Sequence, residues 1–526
     1  MKYVQELHLA HCKNHSFRFN HQKMSNNKLL IITFLLLTSS FAFNDIVAQE
    51  TIFETDIQLK TGLENKRDVL PVVLDDQSVT LFLLDNAEIT SMILDKDFQK
   101  TDEYTIPRPE ATYDNLLGQS VDGDQYNIFF ANRRKNQFYV HEFNMAEKTN
   151  RGRLLDIKLK KEKYFESISY QNKFYLLTIK KFTSIMVVYE FTGSQLNAKK
   201  EIDLTEFEES NIYLSNLYTE FLSGDGSLTQ SLYAPKIDLR TPAPIQQTAD
   251  PAKLFVSGNK LTMTIDNDLQ YTKIIKVDLG TYEHSIEAIK NEPLLCKESV
   301  STSANSFLWE STLFQVKVCK SKLRISVKRL GNEETLAEYV AEREEGIQFK
   351  NGPLQQEGSN SIYGQGTEKE LNTKQFLRKM SNSQISVSAY EQNEELILKV
   401  GGYKELRGNY GNVGTFNTGS TISTPYGTVT TPPSHTYNPA MAGYSTMTTS
   451  RSVYFNVKLD VETLQQIEGE VAQTAFDKIR NFEKAKTSSM VNETVFRVGD
   501  VYVYGYYHKA DKKYVLKGFE DDVLAE

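Results

Sequence analysis

Strand-rich units recur along this chain, and their recurrence limits the folds open to it more than any other feature. The cleanest copy is residues 174–204, FYLLTIKKFTSIMVVYEFTGSQLNAKKEIDL. Aromatic and β-branched residues fill 174–180 and 185–191, and Thr192, Gly193, Ser194 and Asn197 supply turn chemistry after them. Phe174, Leu176 and Thr178 would face one way, and Tyr175, Leu177 and Ile179 the other. Both faces are apolar, so such a sheet needs cover on both sides.

Comparable runs begin at Val79, Tyr126, Phe174, Leu261, Leu313, Leu396 and Val501, with early steps of 47, 48 and 87 residues and a later one of 52. A period in the forties with several strands per unit is the signature of a β-propeller. The spacing therefore predicts an all-β propeller of six to eight blades, seven favoured, in a single domain over 51–526 with long loop insertions and one or two short helices. Evenly spaced strands also suit tandem β-sandwiches, which stand as the alternative. The step of 87 is close to twice the period, so residues 206–250 are expected to hide a degenerate blade around 212–218. Helical signals fall at 373–380, TKQFLRKM, and over 470–484, where Leu464, Ile467, Val471, Ala475, Ile479 and Phe482 form one stripe. The polar stretch 341–366 reads as a long loop.

Residues 401–451 are dominated by Gly, Thr, Ser, Tyr and Pro and read as a flexible insertion within one blade. Their tyrosines, Tyr403, Tyr410, Tyr426, Tyr437 and Tyr444, suit an adaptable contact surface, because Tyr offers a large area at low rotamer cost.

At the N-terminal end, the run LLIITFLLL over 29–37 follows Lys28 and precedes small residues, the layout of a secretory signal. Even 29–43 falls short of the roughly 20 residues that cross a bilayer, so no stable transmembrane span is expected. The signal is read as 24–48, with cleavage after Ala48 and Met24 as the true start. Residues 1–23 become an upstream leader; its His8, His11, Cys12, His15 and His21 are metal-ligand types that such a leader would not carry into the mature protein. In an oxidising compartment Cys296 and Cys319 are compatible with one disulfide, the alternative being two buried thiols.

Sixty basic against 68 acidic residues, with no Lys/Arg stripe, exclude the electrostatic footprint of nucleic-acid binding. Nucleophile-elbow, HExxH, P-loop and GxGxxG patterns are absent, so no catalytic, cofactor-binding or metal-binding residue can be named and no cofactor is implied. The runs 120–123 and 223–226 read as tight turns. Asp266-Asn267-Asp268 reads as a hairpin turn, since Gln270 and Tyr271 break the calcium-loop pattern. In its signal ending near Ala48-Gln49, its aromatic strands and its segment AFDKIRNFEKAK, the chain resembles uncharacterised exported proteins of Bacteroidota. That resemblance implies a place in the periplasm or cell envelope and brings no known activity; the final run YVLKGFEDDVLAE continues the blade pattern and shows no separate sorting domain. The expectation is an exported envelope protein that binds or scaffolds an unknown protein or glycan partner through its loops, without evident catalysis. The alternative is a glycan-active hydrolase with acidic residues at the channel mouth.

Overall fold

A computed structural model describes residues 50–59, 68–209, 215–223, 231–296, 302–332, 334–358, 368–404, 421–424, 427–430, 437–446, 451–485 and 490–523. Among these residues seven sheets of four or five strands follow one another along the chain, beside two two-stranded ones. The seven are blades 1 to 7, spanning 68–107, 115–155, 162–203, 252–290, 303–342, 384–460 and 490–519. Each run that begins at the seven positions named above lies in the second strand of one blade.

The second strands are apolar on both faces because each is sandwiched between two other sheets. Phe82 of blade 1 meets Phe143 of blade 2 edge-on at 5.5 Å, and Phe129 of blade 2 stacks on Phe174 of blade 3 at 3.9 Å. Leu177 and Val188 of blade 3 share a core with Met263 and Ile275 of blade 4. Ile274 of blade 4 packs with Leu313 of blade 5, and Val316 of blade 5 with Val387 and Leu398 of blade 6. Leu81 and Met92 of blade 1 pack with Val503 and Leu516 of blade 7, which completes the circuit. Fully burying each such side chain contributes about 1.5–3 kcal/mol, and a sheet of this kind gains it on both faces. One sheet between two others, in sequence order, is a propeller and rules out paired sandwiches.

Between blades 6 and 7 the seam is different. The helix Ala475–Ala485 turns Phe476 and Ile479 towards Val495, Tyr502 and Tyr504 of blade 7. Its Arg480 and Asp477 pair with each other at 3.1 Å, and Arg480 also reaches Glu357 of blade 6 at 3.2 Å. The helical stripe predicted from residue 464 begins only at Ala475, since Leu464 (φ 57°) and Gly469 (φ 107°) are both in left-handed backbone. The helix Thr373–Met380 forms as expected, opened by Asn372 in a capping box with Gln375.

Two blades borrow their outer strands. Thr51–Asp56 pairs antiparallel with Lys513–Phe519 to complete blade 7, and Leu354–Glu357, inside the stretch read as a loop, pairs with the Arg451–Asp460 strand of blade 6. The degenerate blade expected around 212–218 falls partly on residues 210–214, outside the described ones; the described residues of 206–250 hold the short helices Glu206–Glu209, Leu217–Glu220 and Ile245–Thr248 and three two-residue strands. Their apolar residues pack against blades 3 and 4.

The two rims differ sharply. Six of the seven links between first and second strands are two residues long, such as Gly123-Asp124, Gly258-Asn259 and Gly499-Asp500. Their first residues have φ of 54°, 60° and 57°, the backbone that matches strand twist in a tight hairpin. Strands alternate direction, so links from second to third strands, and from a fourth strand to the next blade, emerge at the opposite rim; the link after Asp460, which ends the third strand of blade 6, instead starts at the turn rim. The opposite rim carries the long connections 204–251 and 405–450.

Candidate functional site at the axis

First strands of neighbouring blades touch, which places them around the axis. Lys236–Ile237 runs parallel to Leu254–Phe255 of the blade 4 first strand, on its axial side. From there the connection crosses the ring. Lys236 Nζ donates to Ser167 O of blade 3 at 2.7 Å, and Arg240 O accepts from Tyr502 Oη of blade 7 at 2.6 Å. Thr248 Oγ1 and Ser386 Oγ of blade 6 lie 2.6 Å apart, and Asn305 Nδ2 of blade 5 donates to Ala249 O at 3.2 Å.

The second long connection arrives from the other side. Tyr437 Oη donates to Val69 O of blade 1 at 3.4 Å, and Asn438 Nδ2 to Val495 O of blade 7 at 3.1 Å. In the following helix, Pro439–Thr446, Gly443 lies against Pro244, where a Cβ would sit 3.5 Å from the proline ring. The two connections thus meet across the axis and between them touch the first strands of six blades.

Beneath the crossing lies a polar recess. Lys135, from a short link of blade 2, holds its Nζ 4.5 Å above the Tyr164 ring. Tyr164 Oη donates to Glu166 at 3.3 Å, and Lys236 pairs with Glu166 at 3.4 Å, both side chains nearly buried. Burial pulls the Lys135 ammonium below its ordinary range, partly offset by Glu166. It raises the Tyr233 phenol far above its usual value, with the charges of Asp250 and Glu166 adding to the effect. Burial also pushes the Asp250 carboxyl up to about 6. Lys135, Tyr233 and Asp250 nonetheless keep part of their surface accessible, so a cation, a phenol and a carboxyl able to exchange a proton near neutrality share one recess.

The recess rests on a fully engaged ion pair. Lys253 Nζ donates to Asp250 O and Asn305 Oδ1 at 2.7 Å and to Asp266 Oδ2 at 3.2 Å. Asp266 also accepts from Ser306 N and Oγ at 2.9 Å and from Thr272 Oγ1 at 2.8 Å. The turn expected at 266–268 is present, with Asp268 buried and accepting from Gln270 N at 2.7 Å, while Asp266, also buried, serves the junction of blades 4 and 5. Among the described residues no group of three or more His, Cys, Asp or Glu is placed to hold a metal ion.

Of the residues singled out from sequence, Tyr437 and Tyr444 turn inward. Tyr444 is 2% exposed, donates to Glu483 Oε2 at 2.5 Å and lies 6.0 Å from the Tyr504 ring. Beside it Tyr504 donates to Glu493 at 3.0 Å, and burial together with Glu483 pushes the Glu493 carboxyl up to about 7. Tyr403 lies half-buried in the Glu395–Lys404 strand, which with Arg451–Asp460 shortens the insertion to 405–450. Tyr410, Tyr426, Ala48 and the 24–48 and 1–23 segments lie outside the described residues. Cys296 and Cys319 form a disulfide with Cα atoms 6.6 Å apart, tying the connection between blades 4 and 5 to the short link that follows Val318. Among the described residues no helix is long and apolar enough to cross a membrane.

Sequence reasoning had no signal for the recess, because Lys135, Glu166, Lys236 and Asp250 come from four separate stretches and share no spacing.

No family model matches the chain, and no curated protein matches it. Among solved structures it is similar to a prolyl endopeptidase at 9% identity, over 87% of this chain and 48% of that one, with a TM-score of 0.30. The β-propeller domain of the Trilobed protease from Pyrococcus furiosus aligns at 8% identity over 88% and 96%, with a TM-score of 0.28. A cobalt-substituted apocarotenoid oxygenase from Synechocystis aligns at 8% identity over 58% and 64%, with a TM-score of 0.26. The chain spans about half to two thirds of the oxygenase and endopeptidase chains. At these identities and TM-scores the likenesses bring neither fold nor chemistry to this chain.

Proposed function

We propose that this chain is an exported envelope protein of the periplasm or cell surface that binds or scaffolds a protein or glycan partner through its long-connection rim. The observation that carries the reading is the asymmetry of the rims: at one, six of the seven links between first and second strands are two residues long, while the other carries the long connections 204–251 and 405–450. A rigid ring that carries its two longest described connections on one face is built for recognition, since loops on a fixed scaffold carry binding. The test is affinity capture from the native envelope, using the intact protein and a variant with residues 405–436 replaced by a short Gly/Ser linker. Specific partners should be lost from the variant; an unchanged set would remove the insertion from the contact surface. N-terminal sequencing of the exported protein should begin after Ala48, and residues from before Met24 would sink the signal assignment.

One observation favours the second reading, a glycan-active hydrolase. Asp250 and Glu166 sit in the same recess with Tyr164 and Tyr233, and the Asp250 carboxyl titrates near 6, as a general acid requires. Glu166 is already engaged by Lys236, Ser167 N and Tyr164, which suits a structural role and leaves only Asp250 for chemistry. Release of reducing ends from a glycan panel by the intact protein, abolished in Asp250→Asn, would establish the hydrolase. Absence of turnover across the panel leaves the binding reading in place.

A further inference from the structure

Three large apolar side chains stand out of the long-connection rim on blades 3 to 5: Phe182 is 73% exposed, Leu269 47% and Leu295 87%. They belong to one continuous ridge. Lys181 N donates to Lys161 O at 2.8 Å, joining the link before blade 3 to the link that carries Phe182. Tyr218 N donates to Thr183 O at 3.1 Å, and the Phe182 and Tyr218 rings lie 5.2 Å apart. Asn267 donates to Glu220, and Asn291 Nδ2 to Leu269 O at 3.5 Å. Leu295 is then pinned through its neighbour, Cys296, by the disulfide to Cys319.

Two features mark the ridge as more than loose surface. Phe182 has φ 61°, a left-handed backbone that a bulky side chain adopts only at a cost in free energy, so an exposed aromatic there is strained and solvated at once. The apolar tips are also ringed by cations. Lys160, Lys161, Lys163, Lys181, Lys290 and Lys320 have no carboxylate at ion-pair distance among the described residues, on a chain whose formal charge is -8. Against them on the same links stand Asp156, paired with Lys158, Glu292, paired with Lys328, Glu208, which accepts from Ser184, and Glu206, Glu220 and the buried Asp268, so of the lysines on these links these six are left without an ion-pair partner among the described residues. Burial and the neighbouring Lys181 hold the Lys163 ammonium below its ordinary range, as expected where positive groups crowd.

We propose that this ridge docks on an anionic lipid surface, with Phe182, Leu269 and Leu295 entering the headgroup boundary and the lysine collar meeting the lipid charge. Apolar tips within a cationic collar match such a surface in both respects, since apolar burial and attraction to anionic lipid act together. A folded protein partner is less suited, because the tips come from three separate links and form no groove.

The test is co-sedimentation of the full chain with vesicles of phosphatidylcholine, with and without phosphatidylglycerol. Binding should require the anionic lipid and weaken with salt, since exposed charges are screened. Lys160→Glu with Lys181→Glu should reduce it by roughly fivefold or more per lysine. Phe182→Gly with Leu295→Ser should also lose binding; glycine suits the left-handed backbone, so this variant keeps the fold, checked by an unchanged unfolding midpoint. No binding at low salt, or binding untouched by either pair of substitutions, overturns the proposal. So does a photo-crosslinker at position 182 that captures an envelope protein while vesicles go unbound.

Discussion

Replacing Lys253 by Met should be among the most damaging single substitutions on the blade 4 and 5 junction. The Lys253 side chain is fully buried and Asp266 is 1% exposed, so removing the ammonium leaves a carboxylate without its counter-charge and out of reach of water. Breaking one partner of a buried pair costs about 3–5 kcal/mol. The three acceptors of Lys253 then lose a charged donor at once, each such bond contributing about 1.5–3 kcal/mol, which places the loss at the upper end. The control is Lys276→Met, whose pair with Glu287 at 2.7 Å is half-exposed and contributes about 1 kcal/mol or less. Urea unfolding can be followed through Trp309, the single tryptophan, which lies on the same strand as Asn305 and Ser306. Lys253→Met combined with Asp266→Leu should cost clearly less than the sum of the single substitutions, because no buried charge is left behind. A loss below about 1 kcal/mol for Lys253→Met, equal to the control, would refute the claim that this pair locks the blades.

Four other outcomes are expected. The Asp250 carboxyl is raised to about 6 from 3.8, so its charged form is disfavoured in the folded state; stability should fall as pH rises from about 4 to about 6, and Asp250→Asn should flatten that fall and gain up to about 3 kcal/mol above it. Glu493→Gln should flatten a similar fall up to about pH 7, read by thermal unfolding against pH. Non-reducing mass spectrometry should find Cys296 and Cys319 blocked to thiol reagents under denaturing conditions, and Cys319→Ser should cost about 3 kcal/mol through the loop it opens. Asn372→Ala removes the cap of the Thr373–Met380 helix and should cost about 1 kcal/mol, measured as a shift of the urea midpoint.

The blade count was legible because the second strand of each blade is apolar on both faces; Val79–Leu84 is buried at every position. First strands are harder to read: 69–73 and 385–390 carry a strand pattern in the sequence, whereas buried polar residues such as Glu166 and Ser167, or Asn305 and Ser306, break it in others. Outer strands escaped for the opposite reason: Thr149–Leu155 is mostly exposed and lacks an apolar pattern. The spacing of 87 misled, since a connection that crosses the axis needs apolar residues such as Ile237 and Ile245 as much as a blade does. The recess was invisible, for nothing in one dimension joins Lys135 to Asp250. Tyr444 looked like contact surface by composition, yet its neighbours in the helix, Ala440 and Met441, are buried with it.

The strand Thr51–Asp56 is made early and used last. Thr51 Oγ1 accepts from Lys517 Nζ across 466 positions, so at about 5–20 residues per second this segment waits roughly 20–90 s of synthesis for its partner. An unpaired edge strand is an invitation to aggregate. This one carries a single buried side chain, Phe53, and tolerates the wait in water. The ring therefore has a clasp: a mostly polar N-terminal ribbon completes the last blade, and a pull on that end would undo it one hydrogen bond at a time, giving up Phe53 alone from the buried core that blades 1 and 7 share.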